Sequence, residues 1–182
     1  MAVRQPRRNK PRPPLDEEGL ERLALFYVGR YASTRAKLAI YLRRKTSERG
    51  WAGSAREDEA IEAVVGKISA LGYVDDAAFA SARAASLGRR GYGERRVAQA
   101  LRAAGIEEED SEAARAESRQ GAWSAALRFA ERRRLGPWAE KPHDRESRQK
   151  AAAAMMRAGH PVAMVWRVLA AAPGDVPDPD VN

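Results

Sequence analysis

The stretch LRAAGI at residues 101–106 recurs in altered form as MMRAGH at residues 155–160 and as LRRK at residues 42–45. An apolar residue precedes each copy by one helical turn: Leu38, Val97 and Ala151. Each copy therefore continues an apolar helix face into basic or small residues. A phrase repeated along a chain predicts stacked helical units, whose function lies on an extended surface rather than in a catalytic pocket.

The rest of the chain follows the same helical periodicity. Apolar residues spaced i, i+3, i+4, i+7 occur in stretches that begin at Leu20, Ile61, Trp123 and Val162. No stretch shows the sustained apolar–polar alternation that is typical of half-buried strands. We therefore predict an all-α fold.

Breaks in the periodicity predict nine helices in three groups of three. Ser33 and Thr34 are predicted to cap the second helix, which should run to about Lys45. Thr46–Ala55 contains two glycines and is predicted to be a loop. The three predicted repeats cover residues 15–71, 75–118 and 120–172.

Both ends of the chain differ in composition from its middle. Residues 1–14 hold five Arg or Lys and no acid, which predicts a disordered basic arm, either a solubilising tail or a nonspecific DNA tether. Residues 173–182 are rich in Pro and Asp and are predicted to be a disordered acidic tail. The start lacks the apolar core of a signal peptide and no run is long enough to span a membrane, so we expect a soluble, cytoplasmic protein.

Several features could indicate catalysis or metal binding, and each has a structural interpretation. Asp75 and Asp76 open a predicted helix, where a carboxylate accepts a backbone N–H and meets the positive end of the dipole. His143 and His160 have no His or carboxylate at ligand spacing. The chain has no cysteine, and Gly-Lys at residues 66–67 lies inside a helical pattern without the Ser or Thr of a phosphate loop. We expect no catalytic residue, metal or cofactor.

Positive charge is concentrated in particular segments. The net charge is +8, and residues 20–50 hold eight basic and two acidic side chains. Residues 89–106 hold five basic side chains and one acidic, whereas residues 107–119 hold six acidic and two basic. Such segments fit a polyanion or an acidic face of another protein.

Basic residues on or beside the second helices of the first two repeats predict one continuous basic stripe, while those at helix ends could simply be favoured by the helix dipole. The candidate residues for binding a partner or nucleic acid are Arg35, Lys37, Arg43, Arg44, Lys45, Arg89, Arg90, Tyr92, Arg95, Arg96, Arg102, Arg132, Arg133 and Arg134.

The aromatic residues divide into core and surface candidates. Four lie on apolar helix faces and are predicted to pack in the core: Tyr27, Phe79, Trp123 and Trp166. Tyr92, between two glycines, is the best candidate for an exposed stacking ring. Trp51 and Trp138 lie in predicted loops and fit either role.

The stretch LGYVDDAAFA at residues 71–80 resembles the most recognisable segment of the RecX family, regulators of the bacterial recombinase RecA. Ser33 with Leu38 and Leu42 resembles the family's first-repeat helix, and residues 91–106 resemble its second-repeat helix with its Gly-Ile end. The resemblance covers about residues 20–170. The family's usual lysine is Ala104 here, Thr46–Ala55 looks like an insertion, and the third repeat matches least well.

The resemblance implies an elongated, curved array of three tandem three-helix repeats. It implies a non-enzymatic protein that binds the groove of RecA–DNA filaments and modulates, most often inhibits, their recombinase, ATPase and co-protease activities. Because the first two copies of the repeated phrase are strongly basic and the third is rich in alanine, we expect function mainly on the first two repeats. RecA filaments are then the expected partner, with single- or double-stranded DNA a further one, and we expect a monomer. Two alternatives stay open at this point: a stand-alone helical DNA-binding protein, since basic helices after tight turns also describe helix-turn-helix readers, and a helical scaffold for an unrelated acidic partner.

Overall fold

A computed structural model describes residues 12–178, so residues 1–11 of the predicted arm and residues 179–182 of the predicted tail lie outside this range. The described part contains nine α-helices and a short 3-10 helix at Gly136–Trp138, and its only strand-like feature is one isolated bridge. The all-α prediction is confirmed. The helices are α1 (Glu17–Val28), α2 (Arg35–Arg49), α3 (Glu57–Ala70), α4 (Asp76–Arg89), α5 (Glu94–Ala103), α6 (Glu108–Gln120), α7 (Ala122–Arg133), α8 (Arg145–Arg157) and α9 (Val162–Ala170).

The chain divides into two compact units, which meet in sequence between Val74 and Asp75. The first contains α1–α3 and the second contains α4–α9, so the helices of the second and third predicted repeats share one unit. In the first unit the three helices pack pairwise around one apolar cluster. Its fully buried large side chains include Leu20, Leu38 and Ile61.

Local capping explains where the helices of the first unit begin. The Asp16 carboxylate accepts the backbone N–H of Gly19 at 2.8 Å before α1. The Thr34 hydroxyl accepts the N–H of Lys37 at 3.2 Å before α2, as predicted. Each cap satisfies one of the backbone donors that the first helical turn leaves without an intrahelical partner.

The second helix is longer than the sequence predicts. It continues past Lys45 to Arg49, so the predicted loop at Thr46–Ala55 is wrong for its first four residues. Thr46 is fully buried, and its hydroxyl donates to the carbonyl of Arg43 at 2.9 Å and also contacts the Glu57 carboxylate of α3. Because Thr46 is buried in the contact between α2 and α3, it is part of α2 rather than of the loop that follows.

The remaining loop is held against the start of α1. The backbone N–H of Ala52 donates to the carbonyl of Leu15 at 2.8 Å. The Glu17 carboxylate accepts the N–H groups of Ser54 at 2.7 Å and Ala55 at 3.1 Å. These hydrogen bonds lower the pKa of Glu17 to about 2, and the one from Ala55 has the largest effect. Glu17 is therefore charged at neutral pH.

The second unit begins with a cap that the sequence predicts. The Asp75 carboxylate accepts the N–H of Ala78 at 2.8 Å, and Asp76 is buried in the first turn of α4. Helices α4, α5 and α6 enclose an apolar cluster that includes Leu87 and Leu101. The acidic pair therefore starts a helix, as its position indicates.

The last three helices form a second apolar cluster in the same unit. It contains Phe129 of α7, Met155 of α8, and Val165 and Leu169 of α9. Alanines of α8 are buried in it rather than exposed, which lets the helix approach its neighbours closely. The alanine-rich third repeat thus has a buried apolar cluster of its own.

The two halves of the second unit meet through backbone atoms. The N–H of Gly93 donates to the carbonyl of Ala158 at 2.9 Å. The imidazole Nε2 of His160 lies 3.0 Å from the carbonyl oxygen of Gly91. Gly159 adopts φ +98°, a conformation that disfavours any side chain. Small residues are required at this contact because two chain segments approach each other directly.

Candidate binding surface

The three consecutive cations of α2 lie one turn before the helix ends, not at its end as predicted. Arg43 contacts Asp58 at 3.4 Å, Arg44 contacts Glu48 at 3.9 Å, and Lys45 contacts Glu48 at 2.6 Å. The helix dipole acts mainly on the last turn, so it does not explain their presence. The pairs of Arg43 and Arg44 are solvent-exposed ones of the kind that stabilises folding by about 0–1 kcal/mol, which leaves these two cations available to an anionic partner, whereas the side chain of Lys45 is only 20% exposed.

Two further candidates lie at the other end of α2. Arg35 and Lys37 are in its first turn, and both are half-buried. A cation at a helix N-terminus meets the positive end of the dipole, which disfavours it. Helix stability therefore gives no reason for positive charge at these positions.

Three tyrosines form a cluster on the first unit that sequence reasoning missed. The rings of Tyr27 and Tyr41 stack with centroids 4.2 Å apart and an interplanar angle of 17°, and the ring of Tyr31 lies 5.4 Å from Tyr27. The guanidinium of Arg44 and the ammonium of Lys45 lie 5.7 Å and 5.9 Å from the Tyr41 ring centre. Tyr27 packs against the core as predicted, and its ring also contacts that of the exposed Tyr31.

In the second unit, two arginines of α7 donate hydrogen bonds to the last carbonyl groups of α4. The Arg132 guanidinium donates to the carbonyl of Arg90 at 2.8 Å, and Arg128 donates to the carbonyl of Gly88 at 3.2 Å. The last carbonyls of a helix have no intrahelical donor, so these contacts satisfy them. Arg132 thus acts in folding as well as being a candidate for binding. Arg128 was not predicted, because nothing local in the sequence places it beside α4.

Tyr92 is half-buried rather than fully exposed, and its role as a stacking ring stays a prediction. Its ring packs against both apolar clusters of the second unit, because the Gly91–Gly93 turn is where they meet. The guanidinium of Arg90 lies 5.4 Å from the Tyr92 ring centre, and that of Arg133 lies 5.8 Å from the ring centre of Phe129. Together with Arg132 these side chains line a depression of about 110 Å³.

The outer face of α5 carries three exposed candidates. Arg95, Arg96 and Arg102 are exposed, and Val97 and Leu101 on the opposite face are buried. Arg95 and Arg102 are seven positions apart and therefore share one side of the helix. The face presents positive charge to solvent, while the apolar residues of α5 hold it rigidly in place.

The remaining candidates lie near the end of α7 and α4. Arg89, Arg133 and Arg134 are exposed, and Arg134 contacts Glu140 at 3.6 Å. Arg134 ends α7 in a left-handed conformation, with φ 52°. Both units therefore carry candidate cations: one set on α2 of the first unit, the other on α4, α5 and α7 of the second.

The tryptophans divide differently from the prediction. Trp123 packs against the core as predicted, and so does Phe79 in the cluster of α4–α6. Trp166 is 42% exposed, so its predicted core position is wrong. Helix α9 carries apolar residues on most of its faces, which is why periodicity alone did not identify the face that is buried. Trp51 and Trp138 are half-buried. Trp51 packs against the apolar cluster of α1–α3, and Trp138 packs against that of α7–α9.

The two histidines have structural environments. The N–H of Gly136 donates to Nε2 of His143 at 3.3 Å. His160 is fully buried, and desolvation lowers its pKa, opposed by its hydrogen bond with Gly91. Across residues 12–178 no group of three or more His, Asp or Glu side chains could hold a metal ion. Within the same range, no helix combines the length and apolar character needed to cross a membrane.

Comparison with known proteins connects this chain to one family. The family model described as RecX, second three-helix domain, matches residues 75–114. The chain is 34% identical over 156 residues to the regulatory protein RecX of Myxococcus xanthus (strain DK1622), covering 82% of this chain and 83% of the relative. It is 36% identical over 118 residues to that of Stenotrophomonas maltophilia (strain R551-3), covering 65% and 68%.

Solved structures share the fold. The crystal structure of RecX from Lactobacillus salivarius superimposes with a TM-score of 0.67 at 17% identity, over 85% of this chain and 94% of that one. A second crystal structure of regulatory protein RecX gives 0.65 at 19% identity, over 84% and 70%. Tandem three-helix repeats are therefore the architecture of this chain, as its repeated phrase predicts.

Proposed function

The chain belongs to the RecX family, and we propose that it is a non-enzymatic regulator that binds RecA–DNA filaments and limits their activity. The proposal assigns the three repeats, residues 15–71, 75–118 and 120–172, to neighbouring protomers of the filament. The partner would be the recombinase filament, and the consequences would be lower ATP hydrolysis, strand exchange and co-protease activity.

The observation that carries this proposal is the exposed basic face of α5. Arg95, Arg96 and Arg102 lie on a helix whose other side is buried, so their positions are held by the core rather than by one another. Such a face complements acidic protein surface or phosphate, and complementary charge accelerates association and selects partners. It lies in the second repeat, which is also where the family model matches.

A neighbouring group of cations supports the same surface. Arg90 and Arg133 lie over the aromatic rings of Tyr92 and Phe129, which orders both guanidinium groups. Ordered side chains lose less conformational entropy when they bind a partner. We infer that α4, α5 and α7 of the second unit contribute more to filament binding than any other described surface.

The direct test measures ATP hydrolysis by RecA on single-stranded DNA after addition of this protein. We expect a dose-dependent decrease. The double variant Arg95→Glu/Arg96→Glu should require roughly tenfold more protein for the same decrease, a shift that corresponds to about 1.4 kcal/mol. The matched control is Arg145→Glu/Arg148→Glu, which makes the same change of charge on exposed positions of α8 and should retain wild-type potency.

Two results would overturn the proposal. One is unchanged hydrolysis at amounts of this protein stoichiometric with RecA. The other is an equal loss of potency in both double variants, because that would indicate a response to net charge alone. Capture of partners from lysate, with and without nuclease, then separates the alternatives: a stand-alone DNA-binding protein would retain DNA but no recombinase.

A further inference from the structure

The tyrosine cluster of the first unit has no role in the regulation proposed above. Tyr31 is 52% exposed, whereas Tyr27 and Tyr41 are half-buried and stacked on each other. Single exposed aromatic residues are common on protein surfaces and need no explanation. Tyr31 differs because its ring adjoins a stacked pair that is anchored in the core, which holds the exposed ring in a defined position.

Two cations lie beside Tyr41, the ring of this cluster that is farthest along the chain. Arg44 and Lys45 lie within 6 Å of the Tyr41 ring centre at 5.7 and 5.9 Å, and the side chain of Arg44 is 63% exposed. Glu48 contacts both cations, at 3.9 Å from Arg44 and 2.6 Å from Lys45. Exposed pairs of this kind are weak, so a phosphate can replace the carboxylate as the partner of Arg44.

We propose that Tyr31, supported by the stacked pair Tyr27 and Tyr41, is a stacking site for single-stranded nucleic acid. Arg44 and Lys45 lie beside Tyr41, at the other end of the ring cluster, where they would meet the phosphates of neighbouring nucleotides. Exposed aromatic rings stack on unpaired bases, and adjacent cations neutralise the backbone phosphates. Bases within a duplex are already stacked on each other and cannot use such a ring. An acidic peptide would need the cations but not the ordered tyrosines. The inference does not rest on binding to RecA, so it is tested without the recombinase.

The test measures binding of the purified full-length protein to a short, labelled oligothymidylate by fluorescence anisotropy. Tyr31→Ala should weaken binding at least fivefold, the lower range for one base that loses its stacking partner. Tyr31→Phe keeps the ring and should bind like the wild type. Tyr73→Ala is the matched control, because Tyr73 is equally exposed in the same unit, at 58%, and should leave the affinity unchanged.

The charges are tested separately. Arg44→Gln should reduce the slope of log affinity against log salt concentration by about 0.7, the value for one phosphate contact on a single strand. The pKa of Glu48 is lowered, mainly by its hydrogen bond from Lys45, so Glu48 is charged at neutral pH. Glu48→Gln should therefore tighten binding by roughly two- to threefold, in the range of one exposed charge pair.

An oligonucleotide that lacks its bases separates stacking from charge. It keeps the phosphates, so Tyr31→Ala should no longer differ from the wild type on it, whereas Arg44→Gln should still weaken binding. The proposal is overturned if Tyr31→Ala and Tyr73→Ala bind equally, if duplex DNA shows the same dependence on Tyr31, or if only an acidic peptide binds. Circular dichroism of each variant identifies any loss of affinity that results from unfolding.

Discussion

Replacing Gly93 by alanine tests the contact between the two halves of the second unit. A Cβ at this position would lie 2.5 Å from the carbonyl carbon of Gly159 and 2.8 Å from the backbone nitrogen of His160. Both are backbone atoms, which cannot rotate away as a side chain can. The start of α5 and the end of α8 would therefore have to separate, breaking the 2.9 Å hydrogen bond from Gly93 to Ala158.

The size of the effect follows from these two losses. A net hydrogen bond contributes about 0.5–1.5 kcal/mol, and forcing atoms into a well-packed contact costs about 1–3 kcal/mol. We expect Gly93→Ala to lower the free energy of unfolding by roughly 2–4 kcal/mol. Urea denaturation followed by far-ultraviolet circular dichroism measures this as a lower midpoint of unfolding of the second unit.

A second glycine provides a control of opposite sign. Gly66 lies inside α3, and a Cβ there would have nothing within 4 Å. Gly66→Ala should raise the free energy of unfolding by about 1 kcal/mol, because alanine is the better helix former. The reasoning is refuted if Gly93→Ala lies within about 0.5 kcal/mol of the wild type, the range of neutral surface changes, or if both variants are destabilised alike.

Two further predictions concern single side chains of the second unit. Asp75→Ala removes the cap of α4 and should cost about 1 kcal/mol in urea denaturation, whereas Asp75→Ser should restore most of it; equal stability of both variants would exclude the capping role. Burial lowers the pKa of His160 below the 6.5 of its unfolded state, so the folded protein holds it neutral. Its contribution to stability is therefore present above about pH 6.5 and is lost as the pH falls below that value. Unfolding free energies measured at neutral and mildly acidic pH should show this decrease in the wild type and a smaller one in His160→Gln.

The prediction of the helices succeeded because helix formation is governed by neighbours in the chain. Apolar periodicity, the caps at Thr34 and Asp75, and the glycine that follows α5 all act within a few residues. The end of α2 was placed too early because Thr46 is buried by α3, a contact that no local pattern indicates. Trp166 was misplaced because α9 is apolar on more than one side.

The candidate surface was predicted less completely. The sequence identifies which segments are basic, and the structure shows that Arg95, Arg96 and Arg102 of α5 are exposed. It does not indicate that Arg132 closes α4, since its acceptor at Arg90 lies 42 residues earlier. Nor does it indicate that Tyr41 stacks on Tyr27 across two helices.

The sequence by itself therefore determined the all-α fold, the tandem repeats and the family, because these depend on short-range patterns that are preserved in the order of residues. Only the tertiary structure decided which aromatic rings reach the surface and which arginines are occupied by backbone carbonyls. Those properties depend on contacts between residues far apart in the chain, and each is settled by how helices pack rather than by what lies beside a residue in sequence.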